Sequence, residues 1–126
     1  MALDVPDVNL RFFSSRASER DGAIVLALNG TADLSARDDL QKVLDKLHAE
    51  AMRLGVRQIE LDVRQLEFMN SSCFQAVVSW IGQAQLLDAA AQYKIRILSN
   101  PDMHWQKRSL HALRCFADQL ITVDTD

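Results

Sequence analysis

The sequence predicts an α/β protein: a single mixed, mainly parallel β-sheet packed against α-helices, in the order β-β-α-β-α-β-α-β. Three observations predict it. Short apolar or alternating runs recur along the chain, at 23–28, 58–63, 93–98 and 120–123. Longer segments between them repeat their apolar residues at helical spacing. Strands that alternate with helices need crossover connections, and right-handed crossovers make the joined strands parallel.

A short first strand is read around 10–13. Asp21-Gly22 is a hairpin signal, because both residues tolerate the positive φ of a tight turn. The run 23–28, Ala-Ile-Val-Leu-Ala-Leu, is continuously apolar, the pattern of a strand covered on both faces, and Asn29-Gly30 ends it. Ser35 is placed to cap the first helix, with Asp38 and Asp39 in its first turn, where the helix dipole favours negative charge. Leu40, Val43, Leu44, Leu47, Ala51 and Leu54 form its apolar stripe, and Gly55 is its expected stop. His48 reads as a flank residue beside that stripe.

The next strand, 58–63, alternates strictly, with Ile59, Leu61 and Val63 on one side. Leu66, Phe68 and Met69 carry apolar content onward to Asn70-Ser71-Ser72. A second helix is expected over about 72–91, with a broad apolar face that includes Cys73, Val77, Trp80, Ala84, Leu87 and Ala91. After strand 93–98, Asn100-Pro101-Asp102 opens a third helix that carries Met103, Leu110, Leu113 and Phe116. The run 120–123 closes the sheet.

Length and composition bound the rest. The 126 residues amount to about one domain, 1–126, with 48% hydrophobic and 25% charged residues, which suits a folded globular chain. Fourteen Lys and Arg against seventeen Asp and Glu leave a net charge of −3. Basic residues are scattered among acidic ones, which argues against a nucleic-acid partner or an anionic membrane surface. No apolar run is long enough for a membrane span, and the segment 1–7 has no basic, apolar leader pattern. The two cysteines, Cys73 and Cys115, are far apart and lack CxxC spacing, so a cytoplasmic chain with free thiols is expected.

The chemistry-bearing stretch is the passage from the 58–63 strand to the second helix. It delivers two hydroxyls, Ser71 and Ser72, to a helix start, where unpaired N–H groups and the dipole favour an anion. A phosphate on Ser71 would be tolerated by the fold and would change the surface by almost two negative charges. The alternative from the residues alone is that Asn70, Ser71 and Ser72 only cap the helix.

Gly30-Thr31-Ala32-Asp33 and Met69-Asn70-Ser71-Ser72, at these places in the element order, resemble the STAS family of sulfate-transporter and anti-sigma-factor-antagonist domains. Gly30 and Asp33 match the first motif of that family; Met69, Ser71 and Ser72 match the second. The resemblance implies a STAS-like fold and a non-enzymatic role in signal transduction and transcription regulation. It implies Ser71 as phosphoacceptor, with Asp33, Asn70, Ser72, Cys73 and Phe74 in the switch loop and partner surface. The implied partners are a serine kinase of the anti-sigma type and a phosphatase, with no cofactor and no metal. The sequence departs from the family pattern at Thr31-Ala32 for Glu-Leu, Asn70 for Asp, Cys73 for Gly, and Phe74-Gln75 for Leu-Gly.

Two other readings stand beside this one. The chain is a constitutive scaffold that binds a partner without a switch, or a redox regulator that uses Cys73, a thiol in the first turn of a helix. His104 and His111 are seven residues apart, and no third metal ligand accompanies them. Trp80 is read as core, and Trp105 either as a secondary contact or as an aromatic cover under a loop.

Overall fold

A computed structural model describes residues 3–124 of the chain. Met1 and Ala2 of the segment read for a leader lie outside these residues. Among the described residues the strands are β1 (Val8–Asn9), β2 (Phe13–Arg20), β3 (Ala23–Ala32), β4 (Gln58–Met69), β5 (Lys94–Leu98) and β6 (Ile121–Asp124). The helices are α1 (Arg37–Leu54), α2 (Ser71–Gln85) and α3 (His104–Phe116), with a 3-10 turn at Leu34–Ala36 ahead of α1. All six strands join one sheet in sequence order. The pairs β1–β2 and β2–β3 are antiparallel, and β3 to β6 are parallel. The predicted mixed, mainly parallel α/β sheet is therefore the observed one.

The sheet has two unlike faces. Ile24, Ile59, Ile95 and Ile121 stand in one row across β3 to β6, all buried. The intervening positions form a polar row, in which Glu60 pairs with Arg96 at 3.4 Å and Arg96 reaches Asp124. Arg20 of β2 joins the same network through Glu60. Strands β3 to β6 run in sequence order, so right-handed crossovers place all three helices over the apolar face. Burial of that face under α1 and α2 is the main stabilising contribution, of order 25 cal/mol per Å² of apolar surface removed from water.

Several expectations are corrected here. The first strand is not at 10–13. That stretch is largely a bend between β1 and β2, closed by the Leu10 N–H on the Phe13 carbonyl at 2.8 Å. Strand β2, Phe-Ser-Ser-Arg-Ala-Ser-Glu-Arg, is too polar to advertise itself; Phe13 and Ser15 are buried and Ala17 packs against the core. The hairpin turn is as expected, with positive φ at both Asp21 and Gly22. Strand β3 is covered on one face only, since Ile24, Leu26 and Leu28 are buried while Ala23, Val25 and Ala27 are half-buried. It also runs past Asn29-Gly30 to Ala32, because β4 continues beside it to Met69.

The helix ends differ as well. Ser35 does not cap α1, whose N-cap is Ala36 without a side-chain bond; Asp33 caps the 3-10 turn ahead of it, its carboxylate accepting the Ser35 N–H at 3.0 Å. Helix α2 stops at Gln85 rather than near Ala91. The Gln92 side-chain amide reaches back to the carbonyls of Ala84 (3.4 Å) and Gln85 (3.5 Å), which supplies partners for the last turn. Ala91 is exposed, while Leu87 still packs against the core.

Candidate functional site

The C-terminal ends of β3 and β4 lie side by side, with Thr31 opposite Phe68 and Ala32 opposite Met69. The two strands deliver two loops to one place. The first is Asp33 with the 3-10 turn; the second is Asn70 and the start of α2. The Asn70 N–H still bonds the Ala32 carbonyl at 2.9 Å, so the ladder holds the second loop against the first until the helix begins.

Asn70 is extended (φ −76°, ψ 170°), and its side-chain oxygen accepts the Cys73 N–H at 2.8 Å. It is the helix N-cap, a role that Asn fills as well as Asp does. Ser71 is the first helical residue and is exposed; Ser72 is half-buried. With the Cys73 N–H taken by the cap, the N–H groups of Ser71 and Ser72 remain without intrahelical acceptors, as the first turn of any helix requires. No acidic residue stands in that turn. The hydroxyl of Ser71 thus sits at the positive end of a 15-residue helix dipole, open to solvent.

Cys73 is buried and Phe74 is half-buried. Cys73 has no exposed area, and its thiol donates to the Asp33 carbonyl at 3.3 Å, pinning the two loops together from below. Burial pushes this thiol's pKa up, the Asp33 carboxylate adds to the rise, and Arg37 opposes it. That is the reverse of an activated thiolate and argues against the alternative of a redox regulator through Cys73. Phe74 is half-buried and packs against the core. Glycine at position 73 would leave a hole where the sulfur now sits.

Sequence reasoning missed the apolar rim of this end of the sheet. Phe12 (62% exposed), Leu34 (71%) and Phe68 (47%) belong to three different segments. All three reach the same end. The Phe12 carbonyl accepts the Thr31 N–H at 2.7 Å, Thr31 faces Phe68 in the ladder, and Leu34 follows Asp33. Only the topology brings them together. Exposed apolar side chains thus gather at the end of the sheet where Ser71 begins α2.

The remaining candidates fall elsewhere. Trp80 is core, as read. Trp105 is half-buried and spends its indole N–H on the Leu66 carbonyl at 2.9 Å, which makes it a cover over β4. His48 is held by the Tyr93 hydroxyl at 2.7 Å. Among the described residues no three His, Cys, Asp or Glu side chains gather as a metal site, and no helix is long and apolar enough to cross a membrane.

Comparison with solved structures adds the fold class. The chain matches an anti-sigma factor antagonist from Mycobacterium paratuberculosis with a TM-score of 0.66 at 13% identity, over 88% of this chain and 84% of that one. It matches the STAS domain of an antisigma-factor antagonist from Rhodobacter sphaeroides with a TM-score of 0.50 at 13% identity, over 69% and 86%. The third match is the anti-sigma factor antagonist SpoIIAA, a Bacillus cell fate determinant. Its unphosphorylated form gives a TM-score of 0.59 at 18% identity over 89% of both chains. Its phosphorylated form gives 0.54 at 18% over 89% and 92%. No protein-family profile matches the sequence, and no curated protein does. The fold is that of STAS domains. Within that class, these neighbours are anti-sigma factor antagonists, and at these identities the likeness is one of fold.

Proposed function

We propose that this chain is a non-enzymatic, cytoplasmic STAS-type regulator that binds a protein partner through the sheet end around Ser71. The partner class is a serine kinase of the anti-sigma type. Phosphorylation of Ser71 by that kinase releases the complex, and a phosphatase restores it. The observation that carries the reading is the exposed Ser71 hydroxyl at the first position of α2, beside the exposed Phe12, Leu34 and Phe68. A phosphate on that oxygen is favoured by the helix end by about 0.3–1 kcal/mol, so α2 survives modification. The same phosphate brings up to about two negative charges into an apolar contact patch. Its desolvation there costs several kcal/mol unless the partner offers cations, which is enough to dissolve a moderate complex. The likeness to a protein whose structure is solved in both phosphorylated and unphosphorylated forms supports this.

Asp33, Asn70 and Ser72 shape the loop around the acceptor, and Cys73 and Phe74 support it from inside. The test is capture of the partner by Ser71→Ala and Ser71→Asp, with phosphate mapped by mass spectrometry after incubation in extract with ATP. The expected result is tight capture by the alanine variant, loss by the aspartate variant, and phosphate on Ser71. Capture by both variants at the wild-type level, with no phosphate on Ser71, rejects the switch and leaves the constitutive scaffold.

A further inference from the structure

A groove of about 790 Å³ opens along α3, far along the chain from the Ser71 loop. Its basic wall is His104, Lys107, Arg108, His111 and Arg114, and among the described residues no carboxylate lines it. These side chains lie three or four residues apart, so they follow one face of the helix. The expectation of evenly scattered charge fails here, because the 13 residues of α3 contain no Asp or Glu while the whole chain is net negative.

Three cations of this wall have no carboxylate to hold among the described residues. Arg16, Arg20, Arg37, Lys46, Arg64 and Arg96 each pair with a carboxylate. Among the described residues, Lys107, Arg108 and Arg114 have no ion pair and no side-chain hydrogen bond. The nearby Asp124 is taken by Arg96. Helix α3 begins without a side-chain cap and without an acidic residue in its first turn. Helix α1, by comparison, has Asp38 and Asp39 there, and α2 has the Asn70 cap. A row of cations without carboxylate partners thus lines one groove. Its floor includes the apolar Leu110 and Val123.

We propose that this groove binds a small anionic ligand that carries two or more phosphate groups. The size decides for a small molecule over a nucleic acid: the groove falls within the range of about 300–1,000 Å³ typical of small-ligand pockets. Lys107 and Arg114 stand seven residues apart on α3, about 10 Å along the axis, with Arg108 between them, a length that successive phosphates span and a single carboxylate does not. This site is independent of the Ser71 reading.

The probe is inorganic tripolyphosphate, titrated into the full chain and followed by amide NMR at about 0.15 M salt, where weak surface attraction is largely screened. The expected result is saturable binding with a Kd below about 1 mM, and shifts confined to β5's end, α3 and β6. Lys107→Gln/Arg108→Gln/Arg114→Gln is expected to weaken binding at least about tenfold, since each charge-assisted bond is strong. Lys42→Gln, an exposed change on α1, leaves it unchanged. The wild-type shift map makes the test independent of how the triple variant folds. Unsaturable binding, shifts outside the groove, or wild-type affinity in the folded triple variant overturns the proposal. So does co-sedimentation with phosphatidylserine vesicles in the absence of tripolyphosphate binding, which would make the groove a lipid-headgroup surface.

Discussion

Gln106 donates its side-chain amide to the Val63 carbonyl at 2.6 Å from a position only 1% exposed. The relationship explains how β4 can outrun its neighbour. Strand β5 ends at Leu98, opposite Asp62, yet β4 continues to Met69. Beyond Asp62, the β4 carbonyls on that side have no strand to pair with. Helix α3 and the turn before it supply side chains instead. Gln106 serves Val63 and also Leu66 (3.2 Å), Trp105 serves Leu66, and the Asn100 amide serves Arg64 at 3.1 Å. The far end of the Gln106 amide accepts the Asn100 N–H at 2.8 Å. The strand that delivers Ser71 is therefore held by β3 on one side and by α3 on the other.

Replacing Gln106 with Leu keeps the volume and leaves the Val63 carbonyl and the Asn100 N–H buried without partners. The expected loss is about 1–3 kcal/mol of stability, read from the midpoint of urea unfolding. Amide exchange at residues 66–69 should quicken in the native state. An unchanged midpoint would show that water takes over these groups.

Gly30 is a second fixed point of the same end. Its φ is +91°, and a Cβ there would lie 2.1 Å from the Phe12 carbonyl oxygen. That oxygen is main chain and already accepts the Thr31 N–H, so it has nowhere to go. Gly30→Ala is expected to cost more than about 2 kcal/mol, from the positive φ plus the clash. Gly22→Ala is the control. Its φ is +80° with open space around it, so only the conformational term of about 1–2 kcal/mol applies. Equal denaturation midpoints for the two variants would contradict the close approach of Phe12.

How much of this was legible in the sequence depends on where each signal is local. The parallel strands were, because Ile59, Leu61 and Val63, or Ile95 and Ile97, alternate within a few residues. The position of Ser71 at a helix start was, because Asn70 is a cap type and the apolar stripe begins just after it. Strand β2 was not, since six of its eight residues are Ser, Glu or Arg and its identity comes from pairing with β3. The extension of β4 was not, since it depends on Gln106, some forty residues later. Phe12, Leu34 and Phe68 were unreadable as a patch for the same reason: the sheet order, and no pattern in the chain, makes them neighbours.

The cap at Asn70 yields a prediction of opposite signs. Asn70→Ala removes the acceptor of the Cys73 N–H and is expected to cost about 1 kcal/mol. Asn70→Asp keeps the acceptor and adds a negative charge at the positive helix end, worth about 0.3–1 kcal/mol near neutral pH. Thermal unfolding should rank the aspartate variant at or above wild type and the alanine variant below it. A destabilised aspartate variant would mean that the charge meets repulsion from the nearby Asp33 loop.

The two thiols should separate cleanly on alkylation. Cys115 is exposed on α3, whereas Cys73 is buried and bonded to the Asp33 carbonyl. Native protein treated with iodoacetamide should carry label on Cys115 alone, and Cys73 should react only when denaturant opens the fold. Labelling of Cys73 at the Cys115 rate would reinstate a redox role.

The interior carries a titratable chain with a predictable sign. Trp80 donates its indole N–H to the Tyr93 hydroxyl at 2.9 Å, and His48 Nδ1 lies 2.7 Å from the same oxygen. Tyr93 is 1% exposed, and burial pushes its phenol well above the ordinary range, so its hydrogen is present and needs an acceptor. The available acceptor is Nδ1, which must therefore be bare. Protonation would set donor against donor, and burial already lowers the His48 pKa from 6.5, with Asp45 pulling the other way. The folded chain thus binds this proton less readily than the unfolded chain. The stability it contributes is intact above pH 6.5, falls as the pH drops through that value, and levels off below the folded pKa. Melting temperatures measured between about pH 8 and 5.5 should decline for the wild type. His48→Gln keeps an acceptor for the Tyr93 hydroxyl and cannot titrate, so its decline over the same interval should be smaller. Parallel declines in the two proteins would assign the effect to other groups and leave His48 a silent neighbour of Tyr93.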